Sequence, residues 1–372
     1  MQAERLIRTA DESFGIRARD GTSLPRLLSG TLLQAARAFV DGTMQVDGDM
    51  IAALRWWYDR QPPRHRRSIA GVLAWLRLEH WFQTKTRARR NIEFHYDRSN
   101  AFYQQFLDRR MLYSSAYFQN PSMSLDAAQE AKLNHIVRKL DVRPAHRFAD
   151  IGCGWGALVM HVAEKTGAMA VGCTLSSSQF QLAAAALCSK GLERHATIEL
   201  CDYRTLSGPF DRIASVGMYE HVGRHRLGEY FRMVAELLPA DGLFLNSGIT
   251  RPETVHDDDV TTFLHQFVFP GGEIPYLAET IRAAEAAGLQ VVDIESLRHH
   301  YALTCARWLQ RLQERRDACL ALIDLQTYRV WQLYLAGSVV SFERGESELY
   351  QILFAKRGRS QPHWWTRRGM YC

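Results

Sequence analysis

Asp150-Ile151-Gly152-Cys153-Gly154-Trp155-Gly156 is the stretch on which the reading of this chain turns. It closes a short apolar run, 147–151, and opens a segment, 157–165, whose apolar residues recur at helical spacing. Glycine reaches left-handed conformations and carries no Cβ, so a strand can turn sharply into a helix there and bring its backbone close to a ligand. Outward from the loop the two patterns alternate. Residues 168–173, 197–200, 211–216 and 242–246 read as strands; 177–190 and 227–238 read as helices. An insertion follows Thr250, 302–340 is mostly helical, and 291–297 and 349–356 supply the remaining strands. Alternation of this kind predicts βαβ units and a parallel sheet covered on both faces.

The residue before the glycines narrows the ligand. In a dinucleotide site this turn sets a pyrophosphate on the helix N-terminus. A carboxylate at Asp150 repels a pyrophosphate but suits a ligand with a free ammonium and a sulfonium, which favours S-adenosylmethionine over NAD. Gly152, Gly154 and Gly156 then form the cofactor turn. The second strand ends at Gly172-Cys173-Thr174 without the acid that many nucleoside folds place there for the ribose. Thr174 and Gln179 are the polar candidates for the ribose or the amino-acid end. Asp202 is the candidate for the adenine amino group, with Tyr203 packing nearby; all four also suit ordinary caps and turns.

The length of 372 residues suggests two domains. Residues 23–57 read as helical, Pro62-Pro63 breaks the chain, and a boundary near residue 90 separates a small N-terminal helical domain, 1–90, from a catalytic domain, 91–372. In the last part of the first domain Arg64, Arg66, Arg67, Arg77, Lys85, Arg87, Arg89 and Arg90 interleave with Trp75, Leu76, Leu78, Trp81 and Phe82. Such a segment suits an anionic membrane surface, or equally a solvated helix face with a basic linker. No run approaches the roughly 20 apolar residues of a membrane span. The N-terminus lacks the apolar core of a secretory signal, so a cytoplasmic location is expected. Seven scattered cysteines contain no CxxC pair and imply neither a metal site nor a disulfide framework. The net charge of +6 permits nucleic acid, but the base clusters with Trp and Leu and no Asn-Pro-Pro-Tyr motif is present, so nucleic acid is not an expected partner.

Further motifs occur in order. They are His95-Tyr96-Asp97-Arg98-Ser99-Asn100, Tyr113-Ser114-Ser115-Ala116-Tyr117-Phe118, Val216-Gly217-Met218-Tyr219-Glu220-His221-Val222-Gly223, Phe269-Pro270-Gly271-Gly272 and His300-Tyr301. With the glycine loop they resemble the cyclopropane-fatty-acyl-phospholipid synthase family, which includes mycolic acid cyclopropane synthases and bacterial fatty acid methyltransferases. Trp365-Thr366-Arg367 and Met370-Tyr371 bring the likeness closest to the fatty acid methyltransferase branch. The resemblance implies an α/β fold, a seven-stranded Rossmann-like class I methyltransferase sheet whose helical additions roof an acyl-chain channel. Tyr113, Ser114 and Leu175 complete the expected cofactor set.

It also implies methyl transfer from S-adenosylmethionine to a cis double bond of a phospholipid-bound acyl chain. The resulting carbocation loses a proton to bicarbonate and closes to a cyclopropane. Tyr117, Phe118 and Tyr219 are candidates to stabilise that cation through their rings, and equally candidates for the core. The expected partners are a phospholipid surface at the inner face of the membrane and an unsaturated acyl chain, with a homodimer as a candidate assembly. In the family the bicarbonate is held by Cys, Glu, His, Ile and Tyr. Glu220, Ile249 and Tyr301 match, whereas Ser115 stands for the Cys and Ser247 for the His. Losing an imidazole removes a donor able to carry charge, and charge-assisted bonds are about twice as strong as neutral ones. A weakened anion site would divert the product to a methyl-branched alkene. A small-molecule methyltransferase, like the plant alkaloid N-methyltransferases, and a non-catalytic lipid-binding paralogue are the alternatives.

Overall fold

The computed structural model describes residues 6–8, 13–19, 30–60, 99–255, 273–358 and 365–371. The basic stretch 64–90, Pro62-Pro63, His95 to Arg98 and Phe269 to Gly272 lie outside the described residues.

The N-terminal part is mixed rather than helical. Strands β1 (Leu6–Arg8), β2 (Phe14–Ala18) and β3 (Met44–Gly48) form an antiparallel sheet in that order. Helix α1 (Leu32–Asp41) precedes β3, and α2 (Met50–Tyr58) follows it. The expected helical run over 23–57 is therefore interrupted. Gly42, left-handed at φ 85°, ends α1, and Met44 to Gly48 pairs along β2 instead of continuing the helix. Thr31 and Gln34 form a reciprocal capping box at the start of α1. Asp49 accepts the Ile51 and Ala52 N–H groups to start α2.

The remaining elements, in chain order, are α3 (Asn100–Phe106), α4 (Leu125–Lys139), β4 (Arg147–Ile151), α5 (Ala157–Thr166), β5 (Met169–Thr174), α6 (Ser177–Ser189), β6 (Ala196–Leu200), β7 (Arg212–Val216), α7 (Leu227–Leu237), β8 (Leu243–Thr250), α8 (Leu277–Ala286), β9 (Leu289–Ser296), α9 (Arg298–Glu314), α10 (Arg316–Leu320), α11 (Leu325–Arg344), β10 (Glu348–Lys356) and α12 (Arg368–Tyr371). The large sheet has seven strands in the order β6-β5-β4-β7-β8-β10-β9. It departs from the expected parallel sheet at one strand, because β10 runs antiparallel to both β8 and β9. The reason is where the chain re-enters. Helices α9 to α11 leave from Ser296 and return at Glu348, which pairs beside Thr250 at the same end of the sheet. The chain can only run back.

Those helices therefore cap the C-terminal ends of the parallel strands, which is where open α/β sheets bind ligands. The cap has its own core, in which Tyr103, Trp308 and Trp331 join Phe39 and Trp57 from α1 and α2. Arg55 on α2 clamps Glu343 on α11 with two hydrogen bonds of 2.8 and 2.5 Å. Along β10 successive side chains go to opposite faces. Leu353 joins Leu133, Phe148 and Val159 on one side of the sheet, and Phe354 joins Phe231 and Phe244 on the other. Burying a side chain of this size stabilises the fold by about 1.5–3 kcal/mol.

One ionic cluster is buried between α4, β9 and the C-terminal segment. Glu295 accepts from Lys139 Nζ at 2.5 Å and contacts His135 Nε2 at 2.7 Å. Arg367 clasps Asp293 at 2.6 Å. Burial works to raise the Glu295 pKa, but His135 and Lys139 outweigh it and hold it down to about 2.

Candidate functional site

The glycine loop is built as its sequence requires. Gly152, Gly154 and Gly156 have φ of 79°, 55° and 78°, all left-handed. The Gly152 and Cys153 N–H groups both donate to Cys173 O, at 3.0 and 2.9 Å, which pins the turn to β5. A Cβ on Gly152 would come within 2.4 Å of Met218, whereas one on Gly154 would meet nothing within 4 Å. The open side of Gly154 faces a cavity of about 1270 Å³, solvent-facing mouth included.

That cavity gathers most of the expected cofactor residues. Tyr113, Ser114, Asp150, Gly152, Gly154, Thr174, Leu175, Gln179, Asp202 and Tyr203 all line it. Gly156 does not. It sits at the N-cap of α5, packed against Ile198 and Ala183, so its role is to let helix and sheet approach. Thr174 Oγ1 donates to Gln179 Oε1 at 2.8 Å, which joins the two as one polar group after β5. The Asp202 carboxylate is clasped by Arg204 through Nε at 2.8 Å and Nη2 at 2.6 Å. Asp202 therefore meets a ligand only at the edge of an existing ion pair, and Arg204, absent from the sequence reading, also lines the cavity.

Asp150 fits the ligand argument. Its side chain is buried at 4% exposure and Oδ1 has no hydrogen-bond partner among the described residues. A buried acceptor left unpaired costs about 1–3 kcal/mol, so a donor from a ligand would be well received. Burial raises its pKa to about 7 against the opposing pull of Lys132. Lys132, a second residue the sequence reading missed, stands on α4 with its Nζ 2.7 Å from Ser114 Oγ. The signal for it was present: Gln129, Lys132, His135 and Lys139 lie at helical spacing on the buried face of α4.

None of Glu220, Ile249, Ser247, Ser115 and Tyr301 lines this cavity. Three of them meet where β8 passes the turn after β7. Glu220 lies in a 3₁₀ turn, Tyr219–His221, and its Oε1 accepts the Ile249 N–H at 2.7 Å. Tyr219 OH donates to Ile249 O at 3.1 Å, so one turn holds both backbone groups of Ile249. Ser247 is buried, and its carbonyl accepts the Gly217 N–H at 2.8 Å. Gly248 is what lets the turn approach, since a Cβ there would fall 2.0 Å from Tyr219 Cε1. Glu220 Oε2 is buried without a partner among the described residues, and burial lifts the carboxyl pKa to about 7 against the Ile249 bond.

Ser115 and Tyr301 arrive from the other side. Ser115 Oγ donates to Ala116 O at 3.1 Å, and the Ala116 N–H donates to Thr304 Oγ1 on α9, one turn beyond Tyr301. Tyr301 stacks on Phe342 with ring centroids 4.7 Å apart. The two groups adjoin through Ser114, whose Cβ lies 3.9 Å from where a Cβ on Gly217 would stand.

Adjacent residues in a strand would face opposite ways, but Glu220 and His221 occupy a 3₁₀ turn. His221 lines the cofactor cavity, with burial lowering its pKa to about 4, while Glu220 turns to Ile249. Of the rings that were candidates equally for the cation and for the core, Tyr117 is stacked between His135 and His300, at 4.3 and 4.9 Å, and Phe118 and Tyr219 are buried in the core.

Known proteins share this fold. Residues 83–352 match the mycolic acid cyclopropane synthetase family. A probable fatty acid methyltransferase of Pseudomonas putida is 37% identical over 93% of this chain and 88% of its own length. Cyclopropane mycolic acid synthase 1 of Mycobacterium tuberculosis is 33% identical over 72% of this chain and 96% of its own. Among solved structures, the cyclopropane synthase MmaA2 from Mycobacterium tuberculosis superposes with a TM-score of 0.70 at 30% identity, over 72% of this chain and 98% of that one. The mycolic acid cyclopropane synthase CmaA1, complexed with SAH and CTAB, superposes at 0.69 and 33% identity over the same shares. Coclaurine N-methyltransferase, at 22% identity and 0.65, shares the fold. The chain belongs to the mycolic acid cyclopropane synthetase family and is an S-adenosylmethionine-dependent methyltransferase.

Proposed function

We propose that this enzyme methylates a cis double bond in a phospholipid-bound unsaturated acyl chain and closes the product to a cyclopropane fatty acid. The observation that carries the reading is Glu220: a buried carboxyl with one oxygen fixed by Ile249 and the other unpartnered, beside the cofactor cavity. The names of the relatives support a fatty acyl substrate.

S-adenosylmethionine, when bound, supplies an electrophilic methyl. An alkene is a weak nucleophile, so the protein's part is to align the two and exclude water. Asp150 Oδ1 would receive the cofactor's ammonium, and the Thr174–Gln179 pair its ribose. The cation formed on the lipid must lose a proton, and Glu220 Oε2 stands ready to orient or accept it. With a pKa near 7 the carboxyl is matched to such a transfer at neutral pH.

Bicarbonate fits this site in part. Glu220 Oε2 suits a hydroxyl donor, and Ser247 and Tyr301 are the other groups to hold the anion, which would supply a proton acceptor. The Ile249 N–H is already committed to Glu220, and the Ser115 hydroxyl to Ala116 O. These commitments favour a second reading, in which a different proton is lost and the product is a methyl-branched alkene. The proposed setting is the inner membrane face, with the basic stretch 64–90 against anionic phospholipid.

The test incubates the enzyme with vesicles of unsaturated phospholipid and S-adenosylmethionine, with and without bicarbonate, and reads the lipid product by NMR. Cyclopropyl protons as the main new signal support ring closure; methyl-branched alkene signals support the second reading. No methylated lipid would refute both. Under the second reading, Ser247→His raises the cyclopropane share, and an unchanged ratio counts against an impaired anion site.

A further inference from the structure

Lys132 has no part in the chemistry above, yet it is a 2% exposed cation in the wall of the cofactor cavity. An ammonium has three donors. Among the described residues Lys132 uses one, to Ser114 Oγ. No described carboxylate lies in ion-pair contact with it; Asp108 and Asp150 act only at longer range. Asp108 is occupied with the Arg110 and Leu112 N–H groups, at 3.0 and 2.7 Å. A buried charge is normally paired directly, because removing it from water is costly. Burial accordingly lowers the Lys132 pKa to about 8, against the opposing effect of the two acids.

The cavity wall thus presents an under-partnered ammonium beside an under-partnered carboxylate. That is the complement of a free α-amino acid. The charge count agrees: Asp108, Asp150 and Lys132 together carry one negative charge, and a ligand with ammonium, carboxylate and sulfonium carries one positive charge. Ser114 belongs to the stretch that Asp108 anchors, so the hydroxyl that holds Lys132 is itself fixed in place.

We propose that Lys132 binds the α-carboxylate of S-adenosylmethionine, with Ser114 orienting its ammonium. The proposal rests on the assignment of this cavity to that cofactor. The experiment measures binding by calorimetry, independently of turnover, with S-adenosylmethionine and its decarboxylated analogue. Losing a charge-assisted bond changes affinity by about 10- to 100-fold. The wild-type protein should bind the decarboxylated analogue weaker by that factor. Lys132→Met should lose the same factor for S-adenosylmethionine and bind the analogue as the wild type does, closing a cycle in which residue and carboxylate are coupled. Equal weakening of both ligands in the variant would overturn the proposal, since Lys132 would then serve only as a counter-charge. So would a wild type that does not distinguish the two. If Lys132→Met fails to fold, Lys132→Gln, shorter but with a hydrogen-bonding end, also removes the charge and is read the same way. A wild type that binds neither ligand would refute the cofactor assignment itself.

Discussion

Glu220→Gln separates the stability of this protein from its activity. The substitution keeps an oxygen to accept the Ile249 N–H and removes the ionisable proton site. In the wild type, burial moves the carboxyl from its usual 4.5 to about 7. That difference corresponds to about 3 kcal/mol in favour of the neutral acid in the folded state. The folded pKa is raised, so this contribution is fully present below pH 4.5, fades as pH rises, and is gone above about pH 7. The glutamine does not titrate and loses nothing over that window. The new amide N–H₂, where Oε2 lacked a partner, adds a pH-independent cost of about 1–3 kcal/mol. The expected result is therefore a slope: measured by urea unfolding from pH 4 to pH 8, the variant gains about 3 kcal/mol on the wild type. A difference that stays flat to within about 1 kcal/mol across that range would refute the placement of Glu220 as a buried, poorly compensated acid. The same variant should lose cyclopropane formation. Full turnover with the slope present would mean that Glu220 is neither the proton acceptor nor its holder.

Gly248→Ala should destabilise the protein by about 1–3 kcal/mol or more, because the new methyl would displace Tyr219 and with it the hold on Ile249; a thermal melt indistinguishable from wild type would count against the close approach. Glu295→Gln should cost about 3–5 kcal/mol at neutral pH by leaving Lys139 and His135 under-compensated. Glu295 has a depressed pKa, so its contribution is present above 4.5 and lost as pH falls towards about 2; the deficit should shrink across that window in acid-unfolding curves. Asp150→Asn should weaken S-adenosylmethionine binding by about 10-fold or more in calorimetry, and unchanged affinity would remove Asp150 from the site.

The sheet was legible because each strand from β4 to β8 is bounded by a helix or a glycine turn. The loop was legible because glycines recur where only left-handed backbone closes the turn. Three things were not. The reversal of β10 depends on which end of the sheet the cap returns to, and no local pattern records that. The strand β3 hid between two helices because five residues flanked by Gly42 and Gly48 read as well for punctuation as for an edge. Lys132 was missed because a lysine on a helix is usually solvated, and its spacing with Gln129, His135 and Lys139 marks a face without saying that the face is buried. The motif around Glu220 was found by likeness to a family. Its geometry, a 3₁₀ turn that captures both backbone groups of Ile249, depends on Gly248, in a strand far along the chain.

The cap and the sheet have separate hydrophobic cores, but α4 and β10 contribute to both: Leu125 and Leu349 to that of the cap, Leu133 and Leu353 to that of the sheet. Tyr113 borders the cofactor cavity and packs its ring 5.2 Å from Trp308. Trp155 lies in the glycine loop, packs its ring at a tilt 5.3 Å from that of Tyr103, and donates to Asn100 at 2.8 Å. These two rings belong to a broader seam, which also includes the Ala116–Thr304 hydrogen bond and the Arg311–Asp126 ion pair at 2.5 Å. An exchange of the roof therefore has to preserve these polar contacts together with Tyr113 and Trp155 if the cavity behind the glycine loop is to keep its shape.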